Sequence, residues 1–90
     1  MKADIKQKVL RRLSLIMGQL NGLSKMVDSE RYCVDIITQS SAIKEAISGV
    51  ENLILENHLS THVIEQMRSG KEKKATDEIL KLYRLAQKKK

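Results

Sequence analysis

From Arg31 to about Arg68 the chain keeps helical spacing with no proline to interrupt it, and this stretch constrains the fold more than any other feature. Ile36, Ile37, Ile43, Ile47, Val50, Ile54, Val63 and Met67 recur in the steps of a helix that buries one side. At about 1.5 Å per residue such a helix is roughly 55 Å long. A chain of 90 residues cannot cover both ends of that rod. Leu59, Val63 and Met67, at its far end, therefore call for a second copy of the chain.

Two further helices flank it. Ile5, Val9, Leu13, Ile16, Leu20, Leu23 and Val27 follow one another in threes and fours, predicting an amphipathic helix over about residues 4–27. Gly18 and Gly22 each weaken that helix by roughly 1 kcal/mol relative to alanine, a loss that close approach of another backbone would offset. Asp28, Ser29 and Glu30 break the pattern. The long helix is predicted over 31–68, where Ser69-Gly70 ends it. A third, over about 75–86, carries Ile79, Leu80, Leu82 and Leu85, with Thr76 as its cap and Asp77 and Glu78 in its first turn. Residues 71–74 read as a linker. The whole is one all-α domain, residues 1–90, with a three-helix protomer and one very long central helix.

The composition excludes several function classes. There is no phenylalanine or tryptophan and only two tyrosines, which suits a base-stacking platform for single strands poorly. No nucleophile–base pair or glycine-rich phosphate loop is present, and a thin helical bundle offers little concave pocket, which argues against an enzyme. A single cysteine cannot form an internal disulfide. Met1 to Lys8 contain no apolar signal-peptide core, and no apolar run reaches membrane-spanning length. These features predict a cytoplasmic protein. The net charge of +6 is unevenly spread: residues 1–30 carry +3, residues 31–67 carry −3 and residues 68–90 carry +6. Basic ends suit a polyanion such as double-stranded DNA, since phosphate neutralisation supplies most non-specific affinity. A solvated surface with a frayed Lys88-Lys89-Lys90 tail is the plainer alternative.

Three residues suggest a metal. His58 and His62 are four apart on a helix and project from one face, within reach of one ion. Taken alone they are as readily two ordinary exposed imidazoles, and a lone cysteine is usually a small buried hydrophobe. Cys33 and His58 are 25 residues apart on one predicted helix, hence roughly 37 Å apart within a chain. They cannot share an ion in cis. Two copies of the helix packed antiparallel would bring Cys33 of one to His58 and His62 of the other, giving two symmetric sites. The uncovered long helix and the divided ligands call for the same antiparallel dimer.

Tyr32-Cys33-Val34-Asp35-Ile36-Ile37-Thr38-Gln39, then Ser41-Ala42 and Asn57-His58-Leu59, resemble the signature of the CsoR/RcnR/FrmR family of bacterial repressors. Arg12, Gly18-Gln19 and Met26-Val27 match its first helix, and the resemblance spans about residues 5–80. It implies an antiparallel four-helix-bundle dimer, paired into a tetramer, that binds operator DNA without a helix-turn-helix and dissociates from it when its inducer binds. Copper sensors of the family typically carry a second cysteine where His62 stands, although some use histidine. Nickel/cobalt sensors add an N-terminal histidine, which residues 1–3 here do not provide. Formaldehyde sensors lack the His62 equivalent and have an N-terminal proline, and persulfide sensors need a second cysteine. Tyr32 and Glu78 occupy positions where copper sensors place a tyrosine and a glutamate behind the ligands, although Glu78 also suits the first turn of any helix. One thiolate and two imidazoles suit three-coordinate Cu(I), whereas Ni(II) normally takes more ligands and Zn(II) would add a fourth.

On the DNA side, Arg12 matches a family DNA-binding arginine. Gly49 stands where copper sensors commonly have a second arginine, and position 15 is Leu15. Lys8, Arg11, Arg12, Lys44 and the C-terminal lysines are left to form the operator surface. A metal-storage protein would fit the ligands but not the basic ends. A helical adaptor would leave the ligands as coincidence.

Overall fold

The computed structural model describes residues 1–88, and its elements are α1 (Ala3–Asp28), α2 (Cys33–His58), a π-helical turn (Leu59–Val63), α3 (Ile64–Arg68) and α4 (Glu72–Lys88). No strand occurs among the described residues. The backbone stays helical from Cys33 to Arg68, as the spacing predicts, but its hydrogen bonding changes register within the π turn. The chain gathers into two compact units, Met1–Asn57 and His58–Lys90.

In the first unit α1 and α2 run antiparallel: the Lys2 N–H donates to Asn57 Oδ1 at 3.3 Å, and the Arg12 guanidinium lies beside Gly49. Val9 and Ile16 of α1 and Ile43 and Val50 of α2 form the buried core, flanked by Ile5, Leu23, Ala46 and Leu53. All but Ala46 and Leu53 are members of the apolar stripes read from the sequence. Other members of the same stripes stay exposed, Leu20 at 47% and Val27 at 57%. A two-helix hairpin can cover only one side of each helix, and the stripes are wider than that side.

The first helix stops in a Schellman motif. Arg31 N donates to Met26 O and Glu30 N to Val27 O, with Glu30 in the left-handed region at φ 52°. Tyr32 then starts α2, its carbonyl accepting from the N–H groups of Asp35 and Ile36, so the helix begins slightly later than Arg31. In the α1 stripe, nothing lies within 4 Å of where a Cβ would stand at Gly18 or Gly22, so the close approach expected there does not occur among the described residues of one chain.

The second unit is a shorter helical hairpin. A second Schellman motif, with Lys71 N on Gln66 O and Gly70 N on Met67 O, uses Gly70 at φ 79° and ends the long helical stretch at the predicted Ser69-Gly70. Three expectations do not hold in this unit. Helix α4 begins at Glu72, so most of the presumed linker is helical: lysine and glutamate are good helix formers, and the Ala75 N–H already donates to Lys71 O. Thr76 is accordingly no cap, because its hydroxyl donates back to Glu72 O within the helix. The third concerns Val63, which needs no second copy to cover it. It is buried in a single chain, as is Ala75, and α4 packs back on α3. Leu59 and Met67 do remain exposed.

Candidate metal centre

The end of α2 and the π turn bring the two predicted histidines together. His58 is the last residue of α2 and His62 lies in the π turn. Their Nδ1 atoms are 3.3 Å apart and their rings meet edge to face. At a metal–nitrogen distance of about 2.05 Å, a 3.3 Å separation corresponds to an angle of about 110° at an ion between them. That angle lies within the range that tetrahedral or trigonal ions accept. As placed, one Nδ1 donates to the other. For both to ligate, each ring must carry its proton on Nε2.

The partner for that proton is present on His58. Its Nε2 lies 3.2 Å from Glu78 Oε2, with side-chain exposures of 24% and 35%. A carboxylate behind a ligating imidazole fixes its tautomer and raises its basicity. Helix α4 supplies Glu78 because the turn at Ser69-Gly70 reverses the chain and returns α4 along α3. The same carboxylate oxygen also accepts from Gln66 Nε2 at 3.4 Å, a contact that reading the sequence does not single out. The available signal was spacing alone, since Gln66 follows His62 by four residues. The groove in front of the pair, about 300 Å³, is lined by His58, His62, Gln66, Glu78 and the lysines Lys71 and Lys74 among others. The π turn between the histidines was likewise not foreseen. Thr61, Val63 and Ile64 are β-branched and only weakly favour the α-helix, but nothing in their pattern marks a π turn.

Cys33 and Tyr32 belong to the first unit. Cys33 is a free, exposed thiol on the first residue of α2, and Tyr32 is 71% exposed. No three His, Cys, Asp or Glu side chains converge to hold a metal among the described residues of one chain. Two imidazole nitrogens at this spacing fit one ion of the kinds imidazole suits, copper and zinc among them.

The candidate DNA-binding residues also lie in the first unit. Lys8, Arg11 and Arg12 are exposed along α1 and Lys44 is exposed on α2. Arg12 Nη1 stands 3.5 Å from where a Cβ on Gly49 would be, an ordinary contact distance, so the guanidinium lies over α2 beside Gly49. Lys88 ends α4, whereas Lys89 and Lys90 lie outside the described residues. No helix among the described residues is long and apolar enough to cross a membrane.

Comparison with known proteins places these features in context. Residues 5–84 match the family model described as metal-sensitive transcriptional repressor. The copper-sensing transcriptional repressor CsoR of Bacillus subtilis is 37% identical over 88% of this chain and 78% of its own length. The transcriptional repressor RcnR of Salmonella typhimurium is 34% identical over 86% of each chain. Among solved structures, the copper-sensing repressor CsoR with Cu(I) from Geobacillus thermodenitrificans superposes with a TM-score of 0.88 at 32% identity, covering 94% of this chain and 88% of that one.

Proposed function

The chain belongs to the family of metal-sensitive transcriptional repressors, and from that premise we propose that it represses by binding operator DNA and releases it on binding Cu(I). A family of repressors, not of enzymes, accounts for the absence of catalytic machinery in the sequence. The observation that carries the metal reading is the His58–His62 pair, Nδ1 to Nδ1 at 3.3 Å, with Glu78 behind His58. Cu(I) is favoured over Ni(II), Zn(II) or formaldehyde by the donor set and by the Cu(I) named for the Geobacillus relative.

Cys33 of a second copy supplies the thiolate. In this reading the exposed stripe on α1 and the far end of α2 are covered by an antiparallel partner, and two dimers pair to a tetramer in the cytoplasm. Tyr32, next to Cys33 in sequence, joins Glu78 behind the ligands once the two chains meet. Lys8, Arg11, Arg12 and Lys44 neutralise operator phosphates. Ligand binding then stabilises only the arrangement that brings Cys33 of one copy to the histidines of the other. If the DNA-bound arrangement differs there, metal and DNA weaken each other by the same factor.

The test is a fluorescence titration of anaerobic, reduced protein on a promoter duplex, challenged with Cu(I), Ni(II), Zn(II) and formaldehyde in turn. Release by Cu(I) at stoichiometric concentration supports the reading. Release by Ni(II) or Zn(II) but not by Cu(I) replaces the inducer and keeps the repressor. No binding of the duplex at low salt removes the regulatory function altogether.

A further inference from the structure

We infer that Gln66 is a positioning residue of the metal centre: its side-chain amide holds the Glu78 carboxylate against His58 Nε2, and so keeps His58 Nδ1 free as a donor. The inference rests on the reading of His58 and His62 as ligands. Glu78 Oε2 accepts from Gln66 Nε2 at 3.4 Å and lies 3.2 Å from His58 Nε2, close enough to face both groups with one oxygen.

The orientation of the amide shows which partner sets it. Gln66 Oε1 is buried and meets no donor among the described residues. Turned end for end, the amide would put its oxygen against the carboxylate oxygen it now donates to. The end facing Glu78 would turn from attractive to repulsive, so the carboxylate selects the orientation. The backbone beneath is held firmly. Gln66 O accepts from Lys71 N at 2.7 Å and from Ser69 Oγ at 3.2 Å, within the turn that lays α4 beside α3. Gln66 and Glu78 therefore face each other across the hairpin as a consequence of how that turn is closed.

Glu78 has competing partners. Lys71 and Lys74 line the same groove and offer a mobile carboxylate alternative cationic contacts. A neutral imidazole has one ring proton. The carboxylate beside Nε2 keeps that proton there and leaves the Nδ1 lone pair facing His62. Removing the Gln66 donor takes away one of the two contacts that keep Glu78 from swinging to the lysines, and His58 then exchanges between tautomers.

Gln66→Met keeps the length of the side chain and removes the donor. Heteronuclear NMR of the reduced protein without metal reads the two ring nitrogens of His58 directly. Wild type is expected to show a single Nε2–H tautomer, and Gln66→Met to move both nitrogen signals toward the average of the two tautomers. Cu(I) affinity should fall by about tenfold or more with helicity unchanged. In a Glu78→Gln background the same substitution should change neither quantity further, because Gln66 acts only through Glu78. If Gln66→Met loses helicity, Gln66→Asn, one methylene too short to reach, makes the same comparison. Unchanged His58 signals, or an equal additional loss in the Glu78→Gln background, overturn the inference. Failure of the ligand reading looks different: wild type itself, or His58→Ala compared with it, shows no histidine-dependent Cu(I) binding while the tautomer result stands.

Discussion

His58 and His62 meet within one chain, whereas the proposed site takes its thiolate, Cys33, from a second copy, and this division sets what individual substitutions should do. Cys33→Ser removes the soft donor. Its Cu(I) affinity should fall by more than the roughly 10–100-fold that follows loss of a hydrogen-bond partner behind a ligand. His62→Ala leaves Cys33 and His58, enough for two-coordinate Cu(I), so affinity should survive better than release of DNA does. Measuring affinity with a competing chelator and release by anisotropy separates the two. Equal DNA release by Cys33→Ser and wild type would show that the thiol is not a ligand. Arg12, exposed beside Gly49, should act in the opposite sense. Arg12→Ala is expected to weaken operator binding and leave Cu(I) affinity unchanged, and an equal loss of both would make it a structural residue.

Two helix ends use the same motif with different residues, and the difference has a measurable consequence. Gly70 takes the left-handed position that closes α3, at φ 79°, while Glu30 takes the corresponding position after α1 at φ 52°. A side chain costs about 1 kcal/mol there, which glycine avoids. Gly70→Ala should therefore lower stability by about 1 kcal/mol, and Glu30→Gly should raise it by a similar or smaller amount. For a domain of this size that is a shift of roughly 4–8 °C in the melting midpoint. Calorimetry reads both variants. Movement in the same direction would mean that contacts of the Glu30 side chain outweigh its backbone strain. Gly70→Ala has a second expected effect, because the turn it closes holds Gln66 opposite Glu78. Loosening the turn should weaken Cu(I) binding as well as the fold.

At the scale of the whole molecule, the large apolar residues left on the surface demand an explanation. Leu20, Val27 and Ile37, the last 64% exposed, lie on helices whose buried sides are already filled by Val9, Ile16, Ile43 and Val50. Contiguous exposed apolar surface on a small protein marks an interface. The protein should sediment as a dimer or tetramer at micromolar concentration, and a well-folded monomer in analytical ultracentrifugation would contradict both the covering of that surface and the sharing of ligands. DNA binding should be strongly salt dependent, since the proposed operator surface sets the basic residues of α1 on phosphates. With about six phosphate contacts, affinity should fall about a thousandfold between roughly 50 and 200 mM salt. A flat salt response would remove the phosphate contacts assigned to Lys8, Arg11, Arg12 and Lys44.

The helical class, the long stretch ending at Ser69-Gly70 and the pairing of His58 with His62 were legible in the sequence because each depends on neighbours close along the chain. Helical period, glycine at a helix end and the four-residue spacing are local rules, and local rules can be read from a single chain. The start of α4 at Glu72 was missed because residues 71–74 contain no apolar side chain to show the period, although their propensity is helical. The contact of Glu78 with His58 and the amide of Gln66 behind that carboxylate were settled by tertiary structure alone. They depend on the register at which α4 returns along α3. That register is fixed by how one turn closes in space, and a shift of one residue would point Glu78 about 100° away from His58 around its helix axis.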